Sequence, residues 1–182
     1  MKNPNTKKGF TLVETIIYVA IASMLLVTVI NAAWSMILSN SNTTGKIDTY
    51  YYSRLLMQEI QQQIKGADDL IAESSVFAIH PGVLALDYPA DNDVIIDTYT
   101  KEITVGGLQA TIRKLQITVG ALPAIDLTPD QVNVTNFVIT NLTRGSEPAN
   151  IKVELSIEKS NPGGDPNYDA SIDLETSISL RE

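Results

Sequence analysis

The 182-residue chain contains no cysteine, so a disulfide framework is excluded. It contains one histidine, His80, and without cysteine partners a zinc site is not expected. No Gly-x-Ser-x-Gly motif, phosphate-binding loop or dinucleotide fingerprint occurs. We therefore read His80 as a turn residue and expect no enzymatic activity and no cofactor.

Basic residues are also scarce. Lysine and arginine number 13 against 21 aspartates and glutamates, which gives a net charge of −8. Three of the cations, Lys2, Lys7 and Lys8, lie at the extreme N-terminus, so the rest of the chain is more acidic still. Nucleic-acid phosphates require lysine and arginine, and no nucleic-acid partner is expected.

Charge is absent from one long segment. Residues 15–38 carry none, and Glu14 is the only charged residue between Phe10 and Leu38. As a helix this run is about 36 Å long at about 1.5 Å per residue, enough to cross a bilayer core of about 30 Å. The lysines before it predict a cytoplasmic N-terminus and an extracytoplasmic C-terminal region.

A cleaved secretory signal and a plain membrane anchor are the alternatives for this segment. The apolar run exceeds the roughly 7–15 residues of a signal peptide, and no A-x-A site ends it. Glu14 also lies at its leading edge, where a carboxylate is costly to bury and is usually functional. These features favour a span with a dedicated acidic residue.

The sequence Lys-Gly-Phe-Thr-Leu-Val-Glu at residues 8–14 resembles the prepilin signature of type IV pilins and type II secretion pseudopilins. The resemblance implies that a membrane peptidase cuts between Gly9 and Phe10 and that Phe10 becomes the N-methylated first residue. Glu14 then matches the family's acidic residue, fifth in the mature chain. Residues 53–60 and 176–181 loosely resemble minor pseudopilins of the J class.

Glu14 has a physical role in such a filament. A lone carboxylate in lipid is unfavourable by at least about 2.5 kcal/mol, and a buried partner relieves that cost. Among parallel helices the natural partner is the N-terminal amine of a neighbouring Phe10, and this pairing would set the filament register. The alternative is that the Glu14 carboxylate lies at the level of the lipid headgroups, close enough to water to stay charged.

The pattern predicts four regions in the whole chain, two of them beyond the span. An apolar stripe with helical spacing indicates a helix face that covers a sheet, whereas the weak helix formers of residues 39–46 leave the helix continuous, bent or unwound there. The stripe comprises Ile47, Tyr51, Leu55, Leu56, Ile60 and Ile64. The regions are leader 1–9, transmembrane and assembly half 10–38, amphipathic half 39–66 and β-rich domain 67–182.

After residue 67 the hydrophobic period changes to two, which predicts strands. Gly106-Gly107 signals a two-residue hairpin turn. The predicted strands are residues 74–79, 83–88, 94–99, 101–105, 108–115, 132–142, 151–158 and 172–180, the last two as an antiparallel pair. Residues 115–119 would extend the strand at 108–115, and residues 120–130, with Pro123 and Pro129, are expected to form a loop. The fold class is therefore α+β, with a long N-terminal helix as pilin stalk and an antiparallel β-sheet head.

Two acidic groups are candidate calcium ligands, because carboxylate oxygens suit that ion. Their spacing is not that of an EF-hand, and turns are usually rich in aspartate, so solvated loops are the favoured interpretation. The candidates are Asp87, Asp91, Asp93 and Asp97 in one group and Asp165 and Asp169 in the other.

The sequence thus predicts a pilin-like structural subunit of the inner membrane that joins a type IV pilus or a secretion pseudopilus, as a minor component. Its expected partners are other pilin subunits, the prepilin peptidase, the assembly platform and membrane lipid. The alternative is a tip adhesin or substrate-recruiting minor pilin that binds through its head loops. A membrane-tethered enzyme is the least favoured interpretation.

Overall fold

The computed structural model describes residues 11–145, 148–164 and 169–180, without the side chains of residues 40–42 and 91. The chain divides into two compact units, one ending at Asn40 and the other beginning at Ser41, and each is described by itself. The elements are α1 (Leu12–Gly66), β1 (Asp69–Leu70), β2 (Leu84–Asp87), a 3₁₀ turn (Pro89–Asp91), β3 (Val94–Val105), β4 (Leu108–Val119), β5 (Ile125–Asp126), β6 (Val132–Asn141), β7 (Asn150–Lys159) and β8 (Ser171–Ser179). The predicted α+β class is confirmed.

Helix α1 has a defined signal at each end. At its start the backbone N–H of Glu14 donates to Thr11 Oγ1 at 3.3 Å, so Thr11 caps the first turn. Residues 39–46 are helical, so the unwound alternative for this segment is wrong. At its end the Tyr88 hydroxyl donates to the Gln63 carbonyl at 2.7 Å, and a Cβ on Gly66 would lie 2.7 Å from that hydroxyl oxygen. Gly66 therefore fits both the helix stop and the close approach.

The second unit contains two antiparallel sheets. One has the strand order β1-β2-β3-β4-β5 and the other has the order β6-β7-β8. β3 and β4 form a hairpin of twelve residues per strand, with Val105 opposite Leu108. Gly106 and Gly107 between them have φ of 60° and 85°, as a type I′ turn requires. The glycine pair thus produces the predicted hairpin.

One hydrophobic core joins the C-terminal part of α1 to both sheets within this unit. Strand β7 buries every second residue from Ile151 to Ile157, as the period of two predicts for a half-buried strand, whereas β2 buries three residues in succession. The largest fully buried side chains are Leu56, Ile60, Ile64, Leu84, Leu86, Ile96, Leu115, Phe137, Ile139, Ile151, Leu155 and Ile157.

Three strand predictions need correction. Residues 74–79 form turns and bends with a single bridge, Val76 to Val83, because the Ser75 hydroxyl accepts the Ala85 N–H and replaces a strand partner there. The two strands predicted at 94–99 and 101–105 are one strand, since Thr100 pairs with Arg113 without interruption. The predicted loop at 120–130 contains the short strand β5.

The predicted stripe on α1 is also only partly correct. Leu56, Ile60 and Ile64 are buried as expected, but Ile47, Tyr51 and Leu55 are exposed. The helix instead turns Thr49 and Ser53 inward, both 1% exposed. Their hydroxyls donate to the backbone carbonyls of Gly45 and Tyr50 at 2.8 Å, so these polar groups are satisfied inside.

Candidate assembly segment and head surfaces

The candidate site is the first part of α1 around Glu14. The Glu14 side chain lies in the first turn, where the partial positive charge of a helix N-terminus favours a carboxylate. One turn later the Tyr18 hydroxyl donates to Glu14 Oε1 at 3.4 Å. Thr11-x-x-Glu14 also fits a capping-box pattern, which the sequence reading missed although the spacing was visible.

Most of the side chains that follow Glu14 through Leu38 are apolar, and all of them are exposed. This is the one helix among the described residues that is long and apolar enough to cross a membrane. Large aliphatic side chains exposed on every side of a helix need a non-aqueous neighbour, because water contact with apolar surface costs about 25 cal/mol per Å². The segment is therefore suited to lipid or to other apolar helices.

Two of the predicted processing residues, Gly9 and Phe10, lie outside the described residues. Of the calcium candidates, Asp165 lies outside them as well, and the Asp91 side chain is not described. Burial and the Asp93 carboxylate raise the pKa of Asp87, and Asp68 and Asp69 add to the shift. Within the described part of the chain no three His, Cys, Asp or Glu side chains are grouped to hold a metal ion.

The remaining candidate residues, Asp169, Asp97 and His80, lie in the loops and strands of the second unit. Asp169 accepts a hydrogen bond from Asn161 Nδ2 at 2.7 Å. Asp97 lies on β3 opposite Gln116, and its Oδ1 is buried without a hydrogen-bond partner. His80 is exposed, and its Nδ1 accepts the backbone N–H of Phe137 at 2.9 Å. His80 thus holds the turn at residues 80–82 against β6.

An exposed apolar strip runs along α1 in the second unit. Ile47 is 62% exposed, Tyr51 61% and Leu55 47%, at the four-residue spacing of one helix face. Arg54 lies over the ring of the adjacent Tyr50 at 4.9 Å, a cation–π contact at the border of the strip. We call Ile47, Tyr51 and Leu55 the α1 strip, and its exposure makes it a candidate contact surface.

One further feature, an ionic cluster around Lys114, was not predictable from the sequence. This lysine is 3% exposed, and its Nζ donates to Asp126 Oδ2 at 2.6 Å and to Asp130 Oδ1 at 2.7 Å. Tyr99 donates to Asp126 at 2.7 Å, and Lys101 donates to Asp130 at 2.9 Å. Lys114 precedes Asp130 by sixteen residues, so only the fold brings these groups together.

The pKa shifts in this cluster follow its hydrogen bonds. Burial lowers the pKa of Lys114, but its hydrogen bonds to Asp126 and Asp130 outweigh burial and raise that pKa overall. The hydrogen bond from Lys114 lowers the pKa of both aspartates, with further help from Tyr99 and Lys101 respectively. The cluster is therefore ionised near neutral pH and fastens residues 126–130 to the β3–β4 hairpin.

Comparison with known proteins gives one match. Residues 4–30 match the family model of the prokaryotic N-terminal methylation motif. Searches of curated proteins and of solved structures each found no match to the chain. The matched residues include Gly9, Phe10 and Glu14 and the first part of the apolar helix.

The methylation motif and the long apolar helix are similar to the N-terminal segment of pilin-like proteins. They support a type IV pilin-like family for this chain, as its residues 8–14 suggested. The motif implies processing by a prepilin peptidase and assembly with other pilin subunits in general, and it is consistent with membrane anchoring. The narrower resemblance to J-class minor pseudopilins is not confirmed.

Proposed function

We propose that the chain is a non-enzymatic structural subunit, held in the inner membrane as a prepilin and then assembled as a minor component of a type IV pilus or a secretion pseudopilus. It works without a resident cofactor. Cleavage falls between Gly9 and Phe10, and the new N-terminal amine of Phe10 is methylated. The head lies outside the membrane, since Lys2, Lys7 and Lys8 remain with the cytoplasmic end.

The observation that carries this proposal is a methylation motif that runs directly into an exposed apolar helix with one acid, Glu14. Extraction of such a helix from lipid is favourable only if other apolar surfaces replace the lipid contacts. Neighbouring copies of the same helix provide those surfaces, and the amine of a neighbouring Phe10 neutralises Glu14. Within the second unit, the α1 strip is a further exposed apolar surface.

The decisive variant is Glu14→Gln, which keeps the size of the side chain and removes its charge. We expect the protein to be cleaved and stored in the membrane at normal amounts but to enter surface filaments at least about tenfold less, since an ion pair in a low-dielectric site is worth more than about 1.4 kcal/mol. Immunoblots of sheared filaments and of membranes give the two amounts.

Tyr18→Phe is the matched control for this variant. It removes the hydroxyl that donates to Glu14 but leaves the carboxylate. Filament incorporation should stay near the native level. Equal incorporation of native protein and Glu14→Gln would overturn the register role, whereas loss in Tyr18→Phe alone would assign the role to the local hydrogen bond.

Processing is tested by mass spectrometry of the protein isolated from cells. The mature chain should begin at Phe10 and carry one additional methyl group on its N-terminal nitrogen. Gly9→Leu should leave the chain uncleaved. A protein that begins at Met1, or one shortened beyond Leu38, would contradict the proposal.

One observation favours a second function, a tip or recruiting subunit that binds through head loops. Leu122, in the turn after β4, and Ile125, on the short strand β5, are both more than 60% exposed, without a charged residue between them. Replacing both with serine separates the two functions. Retained filaments with lost attachment or lost substrate recruitment would favour the binding role, and unchanged attachment would argue against it.

A further inference from the structure

The outer edge of β8 is an open strand edge. Among the described residues β8 pairs only with β7, in register from Asn150–Ser179 to Glu158–Ser171. Hydrogen bonds from Lys159 N–H to the Ala170 carbonyl and from Leu180 N–H to the Ala149 carbonyl, both 2.8 Å, fix which residues face β7.

In an antiparallel pair the hydrogen-bonded residues alternate along each strand. Even-numbered residues from Ala170 to Leu180 therefore bond to β7, and the odd-numbered residues turn their N–H and C=O groups outward. These outward residues are Ser171, Asp173, Glu175, Ser177 and Ser179. An extended segment of similar length finds an uninterrupted row of donors and acceptors there.

The opposite edge of the same sheet is closed. The N–H groups of Ala78 and Gly82 donate to the carbonyls of Ile139 and Phe137 on β6, both at 2.8 Å, and His80 Nδ1 accepts the Phe137 N–H. Residues 78–82 thus cover the outward groups of Phe137 and Ile139 in the middle of β6. Because exposed edges promote aggregation, the contrast with β8 is informative.

Charge around the open edge is mostly negative. The solvent face of β7 and β8 carries four carboxylates, and Lys152 is the cation among them. Lys152 contacts both Glu154 and Glu175 at 3.0 Å. The carboxylates are those of Glu154, Glu158, Asp173 and Glu175.

This charge pattern selects the occupant. Antiparallel pairing of β8 with a second copy of itself would bring Asp173 and Glu175 towards the same residues of the copy, and like charges across strands are destabilising. A strand with lysine or arginine at alternate positions would instead place cations beside these carboxylates. The edge therefore favours a basic partner over a second copy.

The flank of α1 beside β8 adds a second source of recognition. Gln61 Nε2 donates to Thr176 Oγ1 at 3.2 Å, which places this flank against the inner face of the edge strand. A shallow depression on this flank is lined by Gln58, Gln61, Gln62, Lys65 and Gly66, all of them on α1. Amide side chains both donate and accept, so they suit polar inward side chains of an added strand.

We propose that the outer edge of β8 binds an extended segment of a partner protein with lysine or arginine at alternate positions, which adds to the sheet as a further strand. The backbone bonds give affinity, and the carboxylates of Asp173 and Glu175 select the basic partner. This interaction goes beyond filament assembly and does not depend on Glu14.

The test uses the full-length chain in detergent micelles and a fluorescent peptide of alternating lysine and valine. We expect saturable binding that weakens with salt, and at least about tenfold weaker binding of the same peptide with N-methylated alternate backbone nitrogens, since a lost backbone bond costs about 1 kcal/mol and several are lost. An alternating glutamate–valine peptide should not bind.

Variants of the edge make the test specific. Ser177→Pro removes an outward N–H and no bond to β7, so peptide binding should fall at least about tenfold at unchanged thermal stability. Ser177→Thr keeps that N–H and should bind normally. If Ser177→Pro does not fold, Asp173→Lys with Glu175→Lys serves instead and should prefer the glutamate peptide.

Three results would overturn the proposal. One is no binding of the lysine–valine peptide by the native chain, and another is equal binding of the N-methylated peptide. The third is self-association of the chain that Ser177→Pro abolishes in sedimentation velocity, since the occupant is then a second copy. A failure of filament assembly in Glu14→Gln bears on the proposed function and leaves these measurements unaffected.

Discussion

Lys114 shows how a head without cysteine fixes the segment that leads from β5 to β6. Its stem lies on β4 among buried residues, and its ammonium group joins Asp126 and Asp130. A buried cation is tolerated only when it is paired and hydrogen-bonded, because desolvation of a lone charge costs several kcal/mol. The two aspartates therefore hold residues 126–130 where a covalent link would otherwise be useful.

Lys114→Met tests this role at constant side-chain volume. Because Asp126 and Asp130 remain 40% and 48% exposed, water screens the abandoned carboxylates, and we expect a loss of about 1–3 kcal/mol in the free energy of unfolding rather than the larger cost of a fully buried pair. Lys101→Met is the control, and its exposed ion pair should be worth less than about 1 kcal/mol. Urea unfolding of the detergent-solubilised chain measures both, and equal losses would contradict the special position of Lys114.

Acidification should weaken the same cluster. The pKa values of Asp126 and Asp130 lie below their ordinary value of 3.8, so their contribution to stability is complete above that value and is lost as the pH falls through the lowered values. The pKa of Lys114 lies above 10.5, so its contribution is present below 10.5 and is lost only at higher pH. Thermal unfolding between about pH 6 and about pH 3 should show a smaller acid-induced decrease in Lys114→Met than in the native chain. Identical pH profiles would contradict this assignment.

At the scale of elements, the β3–β4 turn offers a test that involves only the backbone. Gly106 and Gly107 have no atom within 4 Å of an added Cβ, so substitutions there report conformational preference alone. Gly107→Val should lower the free energy of unfolding by about 1–3 kcal/mol, because a β-branched residue is strained at φ of 85°. Gly106→Asn should change it by less than about 0.5 kcal/mol, since asparagine suits the first position of a type I′ turn. Similar effects of the two substitutions would contradict the turn type.

Element predictions succeeded where local chemistry determines structure and failed where distant contacts do. Gly106-Gly107 and the alternation in β7 and β8 were sufficient to place those strands. At residues 74–79 the apolar pattern predicted a strand, but the Ser75 hydroxyl occupies the position of a backbone partner. The same limit explains why the pairing of Lys114 with two aspartates was not predicted.

The α1 strip illustrates a related limit. Periodicity finds an apolar helix face, but it cannot distinguish a face buried within one chain from one that contacts another chain. Thr49 and Ser53 face the core because their hydroxyls bond to their own helix, and the more hydrophobic Ile47 and Tyr51 face outward. The sequence predicted the helix, and only the structure determined which side of it is free.

For the whole molecule, adjacent leucines separate folding from assembly. Leu55 is 47% exposed and Leu56 is 2% exposed. Leu55→Asp should change the free energy of unfolding by less than about 0.5 kcal/mol but reduce filament incorporation severalfold, because a charge then lies in the α1 strip. Leu56→Ala should cost about 2–5 kcal/mol and reduce the amount of folded protein. Normal incorporation of Leu55→Asp would exclude the strip from assembly contacts.

The motif at residues 8–14 supports a pilin-like class from the sequence alone, because processing enzymes read a short linear sequence. The head carries no comparable motif, and its surfaces depend on strand order and register. The role of Glu14 was predicted from its isolation in an apolar run, whereas its neighbourhood with Thr11 and Tyr18 required the structure. The calcium candidates were chosen for their acidic composition, but composition does not predict whether carboxylates come close enough together to bind an ion.

The closed side of the three-stranded sheet limits what can grow from it. Because residues 78–82 already bond to Phe137 and Ile139 of β6, a strand that pairs with β8 does not create a second pairing site at the middle of the β6 edge. Open-ended aggregation by strand pairing requires two exposed strand edges on each copy. Among the described residues, β8 provides one such edge in this sheet. We therefore expect that many copies at high local concentration, on a membrane or in a filament, do not form a continuous β-sheet through this edge.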